Sequence, residues 1–170
     1  MNTKIHMKLA GVVAVTLLLA ACSSKKTAET GGSETTGGGS EVAGAAIPGS
    51  EADLQQNVGD RVFFELNTSE LSQEARGTLD RQAAWLKRYP SVAVTVEGHC
   101  DERGTREYNM ALGARRSNAA RAYLVALGIP SSRIQTVSYG AERPAVLGTG
   151  ESGWSQNRRA VTVVASSAGS

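Results

Sequence analysis

The chain carries little that could support metal or covalent chemistry. Its 170 residues hold two histidines, His6 and His99, and two cysteines, Cys22 and Cys100. No paired Cys/His spacing occurs, so a zinc site has no ligand set to draw on. His99, Cys100, Asp101 and Glu102 are consecutive, and four successive side chains cannot all turn toward one ion. Nor do His99 and Cys100 make a base and nucleophile, since neighbours on an extended segment point to opposite sides. Neither a metal nor a cofactor is expected, and the chain is not expected to be an enzyme. Aromatic residues are 5% of the chain against 41% hydrophobic overall, which fits a modest core of mixed helix and strand. The net charge is only +2, and removing the segment before Cys22, which carries Lys4 and Lys8 and no acid, takes it to zero. A neutral balance argues against bulk phosphate binding. Arg103, Arg106, Arg115 and Arg121 are interleaved with acids and read as a solvated face.

Long hydrophobic runs are also lacking. The apolar stretch from Leu9 to Leu19 is too short to span a bilayer, and with basic residues before it and small ones after it residues 1–21 read as a secretory signal. Leu19-Ala20-Ala21-Cys22 resembles a bacterial lipobox. That resemblance implies that Cys22 becomes the first residue and carries a thioether diacylglycerol plus an amide-linked acyl chain. Several chains meet the condition for stable attachment, because each buried methylene contributes ~0.8 kcal/mol. The alternative is a soluble secreted protein cut near Ala21. Ser23 stands where an aspartate would favour retention in the inner membrane, so the outer membrane, with the protein facing the periplasm, is the implied destination. Cys100 then has no partner for an internal disulfide.

Residues 22–55 are expected to form a flexible linker, being Gly, Ser, Thr, Glu and Ala with almost no large apolar residue. About 30 such residues have a root-mean-square span of roughly 30 Å and a limit of about 100 Å, enough to hold a domain well away from lipid. The globular part is placed at 56–168. Val62, Phe64 and Leu66 alternate as a first strand. Ser72 is a good N-cap for a helix with Ala75, Leu79, Ala83 and Leu86 on one face, stopped by Pro90. Val92, Val94 and Val96 form a second strand. A second helix runs from Thr105 to the stop signal Gly128-Ile129-Pro130, followed by strands at 134–139 and 160–164. The order βαβαββ predicts an α/β sandwich with one mixed four-stranded sheet and two main helices.

The most informative stretch is 92–127, where a strand breaks at Gly98 into the polar corner His99-Cys100-Asp101-Glu102-Arg103-Gly104 and re-emerges as the second helix. On a wheel of 100° per residue centred on Leu112, Tyr108, Ala119 and Tyr123 fall within about 40°, with Leu127 near 60°. Arg116 falls at about 40° as well, inside the apolar arc. A guanidinium cannot shed its proton, so an arginine there needs something to offset its desolvation. Asn109 lies on the same side of the helix, and Asp101 sits in the loop that feeds it. A carboxylate, an amide and a guanidinium could thus converge on one pocket, or Asp101 and Arg116 could simply pair with each other.

Four separate runs carry a resemblance: EGHCDERGTREYN from Glu97, N-x2-L-G-x2-R-S-x2-A-x3-L from Asn109, VSYGAERPAVLG from Val137 and NRRAV from Asn157. Over about residues 61–164 the chain resembles the peptidoglycan-associated lipoproteins of the OmpA-like family. The resemblance implies that Asp101 and Arg116 grip the diaminopimelate of a peptidoglycan stem peptide. It adds Asn67, in the turn after the first strand, as a further ligand contact beside Asn109, although the family often has an aspartate there. It also implies membership of the Tol-Pal system, with TolB as a partner, other Tol and OmpA-like proteins as further ones, and a role in outer-membrane integrity and invagination at division. Two rivals remain open: an enzyme that processes peptidoglycan in the same pocket, and a wall anchor outside the Tol-Pal system. Arg158 and Arg159 belong to the resemblance, with no assigned contact.

Overall fold

The computed structural model describes residues 46–165. The signal at 1–21, Cys22, the tether up to residue 45 and the end at 166–168 lie outside the described residues. Where the expected linker does enter them, it is not a linker. Ser50 accepts a hydrogen bond from the Asp53 amide and caps a short helix, α1 (Glu51–Asp53), which continues as a single wide turn, Leu54–Val58. Leu54 is fully buried in the core and the Trp85 indole donates to Asp53 at 2.8 Å, so the fold begins before residue 56. One leucine and one aspartate amid small polar residues were too faint a periodic signal to show this.

The remaining elements are β1 (Arg61–Phe63), α2 (Gln73–Arg88), β2 (Val94–His99), α3 (Arg106–Ala126), β3 (Ile134–Gly140), α4 (Glu151–Asn157) and β4 (Arg159–Val164). They form one mixed sheet in the order β1-β4-β2-β3, with β2 parallel to β3 and antiparallel to β4. The expected βαβαββ order is therefore found, with α4 added between the last two strands. Ser72 caps α2 by accepting from the Ala75 amide, and Thr105 does the same for α3 through Tyr108. Gly128, at φ +92°, ends α3, with the Ile129 amide reaching back to the Leu124 carbonyl. Ala75, Leu79, Ala83 and Leu86 of α2 are buried as their spacing predicts, against Val62, Phe64, Val94 and Val96. Leu66 is not part of β1: the strand stops at Phe63 and Leu66 is 49% exposed in the following turn.

The second correction concerns which side of α3 packs inward. Tyr108 is exposed, and the buried face is Asn109, Leu112, Gly113, Arg116, Ser117, Ala120 and Leu124. That face is centred about 80° round from the wheel drawn on large apolar residues. Small residues make it, because α3 lies almost on the backbone of β2: a Cβ on Gly98 would meet the Gly113 carbonyl oxygen at 1.9 Å. Hydrophobic size was the wrong signal where two backbones touch.

Candidate functional site

At the C-terminal end of β2 the chain leaves the sheet at His99 and turns through Asp101 to Gly104, whose φ of +99° suits a residue without a Cβ. The start of α3, the turn after β1 and the start of β4 surround this corner. They enclose a narrow cleft lined by Asn67, Asp101, Arg103, Asn109, Arg116 and Arg158, with room for about one water-sized group. The residues singled out from the sequence, Asn67, Asp101, Asn109 and Arg116, thus line one cleft.

Asp101 and Arg116 do not pair with each other. Arg116 is completely buried, and its Nε, Nη1 and Nη2 donate to the carbonyls of Thr68, His99 and Glu65 at 2.9, 2.8 and 3.0 Å. These bonds tie the β1–α2 turn to the end of β2, and the guanidinium also lies 5.2 Å from the Phe64 ring centre. Burial depresses the Arg116 pKa, but an arginine keeps its proton regardless. Three of its five N–H groups are taken, leaving one on each terminal nitrogen.

Asp101, 5% exposed, accepts from the Arg103 amide at 3.1 Å and from the Arg103 guanidinium at 3.1 and 2.6 Å, a two-pronged contact. Arg158 reaches its Oδ2 at 3.4 Å from behind. Burial alone would raise this carboxyl's pKa, but the bonds from Arg103 and Arg158 outweigh it and hold it below the ordinary aspartate value. Asp101 is therefore a fixed anion.

Asn109 lines the cleft and also holds the corner in place. Its Nδ2 donates to the Arg103 carbonyl at 3.0 Å and its own carbonyl accepts the Cys100 thiol at 3.3 Å, so it pins the corner to α3. Asn67 sits at φ +55°, the left-handed conformation that asparagine tolerates, and places its side chain at the cleft mouth. Cys100 is buried, and burial pushes its thiol pKa up, the opposite of an activated nucleophile. His99 does not line the cleft; its buried ring lies tilted against that of Tyr139, with ring centres 5.5 Å apart.

Sequence reasoning missed Arg103, Arg158, Glu151 and Trp154. Arg103 is not on a solvated helix face: besides Asp101 it meets Trp154, whose ring centre lies 4.0 Å from the guanidinium carbon. Trp154 is held in turn by its indole donating to Glu102 at 3.0 Å. Arg158 is buried between Asp101, the Phe64 carbonyl at 3.0 Å and Glu151 at 2.5 Å. The run NRRAV contains Arg158, but nothing in the spacing told which of the two arginines, both of them buried, reaches the cleft.

Three comparisons bear on this arrangement. The profile of the OmpA family matches residues 63–158. The peptidoglycan-associated lipoprotein of Rhizobium meliloti is 57% identical over 122 residues, 72% of this chain and 69% of that protein. Its counterpart in Mesorhizobium japonicum is 58% identical over 128 residues, 75% of this chain and 76% of that one. The crystal structure of the peptidoglycan-associated lipoprotein from Burkholderia pseudomallei is similar with a TM-score of 0.61 and 38% identity, covering 62% of this chain and 90% of that one. The C-terminal domain of Helicobacter pylori MotB shares the fold alone, at 21% identity, 64% of this chain, 86% of that one and a TM-score of 0.60. By profile, by relatives and by fold, the chain belongs to the OmpA family, in its group of peptidoglycan-associated lipoproteins.

Proposed function

We propose that the cleft binds the diaminopimelate side chain of peptidoglycan without processing it. The carrying observation is that a fixed carboxylate, Asp101, and a buried guanidinium with two spare donors, Arg116, line one cleft without being paired to each other. Diaminopimelate ends in an ammonium and a carboxylate on one carbon. Asp101 receives the first, and the remaining N–H groups of Arg116 receive the second as a two-pronged contact. Charge supports the same ligand. Asp101 and Glu151 bond Arg103 and Arg158, and Arg116 lines the same cleft, an excess of one cation. If the incoming ammonium displaces the Arg103 guanidinium into solvent, the remaining two anions and two cations balance, and a zwitterion leaves them balanced. Asn67 contributes at the mouth, and Asn109 acts by holding the corner.

The names of the relatives support the wider reading. Cys22 carries the lipid, residues 1–21 are a removed signal, and the domain faces the periplasm from the outer membrane. There it ties that membrane to the cell wall as part of the Tol-Pal system, with TolB as its protein partner, and serves envelope integrity and invagination at division. A pull-down from envelope extract tests the TolB assignment. Intact sacculi incubated with the protein should lose no glycan or peptide.

The decisive experiment for the cleft is calorimetry of the full chain in detergent with stem peptides containing either diaminopimelate or lysine. Lysine offers the ammonium alone and leaves Arg116 without its anion. An unpaired member of a buried charge pair costs ~2–5 kcal/mol, or roughly thirtyfold to several thousandfold in affinity. Equal affinities would refute the assignment.

A further inference from the structure

The order of the sheet leaves β1 on an edge. The Asp60 carbonyl and the Phe64 amide bond to Thr162 and Arg158 of the β4 side, and Val62 pairs with Ala160 between them. Alternation therefore turns the N–H and C=O groups of Arg61 and Phe63 outward, away from β4. Beside this rim, between β1 and the start of α2, runs a groove of about 310 Å³. A smaller hollow of about 60 Å³ continues it past Val62 and Ala75. Phe63, 46% exposed, gives the groove an apolar wall. Glu65, Glu70 and Glu74 border it, all exposed, and none of them forms an ion pair among the described residues.

An open strand edge recruits another strand, and what surrounds it decides which. Three unpaired carboxylates outweigh the one cation on the groove, Arg158, which is already paired with Asp101 and Glu151, and so disfavour an anionic partner. They also disfavour a second copy of this chain, because edge-to-edge pairing of two β1 strands would bring both sets of carboxylates together. We propose that this edge takes an extended cationic segment of a partner protein, added as a fifth strand. Its backbone pairs with Arg61 and Phe63, its Lys or Arg side chains face Glu65, Glu70 and Glu74, and an apolar side chain lies on Phe63. This surface adjoins the cleft, with Arg158 lining both, but it rests on strand pairing and on Glu65, Glu70 and Glu74 rather than on Asp101 and Arg116, and its test uses no cell-wall ligand.

The probe is a fluorescent, end-blocked Lys-Val-Lys-Val-Lys peptide, read by anisotropy against the full chain in detergent. The parent peptide should bind, and its Glu-for-Lys counterpart should bind at least tenfold more weakly. A version with every backbone nitrogen methylated should lose binding likewise, because strand pairing needs those N–H groups. Replacing Glu70→Gln together with Glu74→Gln should weaken the parent roughly tenfold, with helix content unchanged. No binding by the parent up to about 1 mM, or equal binding of the methylated peptide, would overturn the proposal. So would an unchanged affinity in the double variant, or a chain dimer that Phe63→Lys dissolves.

Discussion

Arg116→Lys tests whether the buried guanidinium is a structural clamp as well as a ligand contact. Three different nitrogens of Arg116 reach three carbonyls on two segments distant in sequence, Glu65 and Thr68 on one and His99 on the other. A lysine keeps the charge but concentrates its donors on one nitrogen, which cannot stand in for a planar fork that spans all three. One or two carbonyls then lose their partner in a buried place, at ~1–3 kcal/mol each, for a total of ~2–4 kcal/mol. For a domain of this size each kcal/mol moves the melting temperature by roughly 3–5 °C, so a fall of about 6–20 °C is expected. Urea denaturation followed by circular dichroism measures the loss, and calorimetry below the transition measures ligand affinity in the same variant. Both should fall. A stability loss under ~1 kcal/mol would mean that solvent in the cleft already satisfies those carbonyls, and the clamp would be refuted even if ligand binding were lost.

Arg103→Gln removes the side-chain fork that, in the proposed binding mode, a ligand ammonium displaces from Asp101, while leaving the Arg103 backbone amide in place. Diaminopimelate peptide should therefore bind tighter, by roughly threefold to tenfold, and calorimetry showing weaker binding would make Arg103 a ligand contact instead. His99 faces Glu97 at 3.5 Å, the Tyr139 ring, Arg143 and Arg159, and burial followed by the Arg159 charge lowers its pKa to about 4. The unfolded chain, titrating near 6.5, takes a proton the folded one refuses, so stability should fall as pH drops from about 7 to 4, by at most ~3 kcal/mol, and then level off. Denaturation midpoints of His99→Gln should lack that slope; a parallel profile would place the effect elsewhere. Gly98→Ala drives a Cβ into the Gly113 carbonyl and should cost ~3 kcal/mol or more, whereas Gly77→Ala on α2, with nothing within 4 Å, should gain ~0.5–1 kcal/mol. Equal effects in thermal melts would show that the contact between β2 and α3 is soft.

Much of this was legible in the chain. The cap at Ser72, the start of the second helix at Thr105, the stop at Gly128 and the order of strands and helices follow from local chemistry that tertiary packing did not override. The convergence of Asp101, Asn109 and Arg116 followed from a loop feeding a helix. What stayed hidden depends on contacts between segments far apart in sequence. Trp154 meets Arg103 across a separation of 51 residues, and Arg158 meets Asp101 across 57. No periodicity records such a pairing. Asn109 reads as a ligand residue from its position on the helix, and one of its amide N–H groups also bonds the Arg103 carbonyl, which only the loop's actual path reveals.

The close contact of Gly98 with Gly113 explains why these residues meet at all. A side chain at either position would hold α3 farther from β2, and Arg116, one turn beyond Gly113 on the same buried face, would no longer reach the His99 carbonyl at the end of that strand. The same approach lets Cys100 bond to the Asn109 carbonyl and Ser138 to that of Met110, so the N-terminal half of α3 is fastened to both parallel strands. The small residues that misled the helical wheel thus set the position of the charged ones. The recognition proposed for the cleft would then rest on backbone packing as much as on Asp101 and Arg116, and substitutions that only widen the spacing between β2 and α3 should weaken binding without touching either residue.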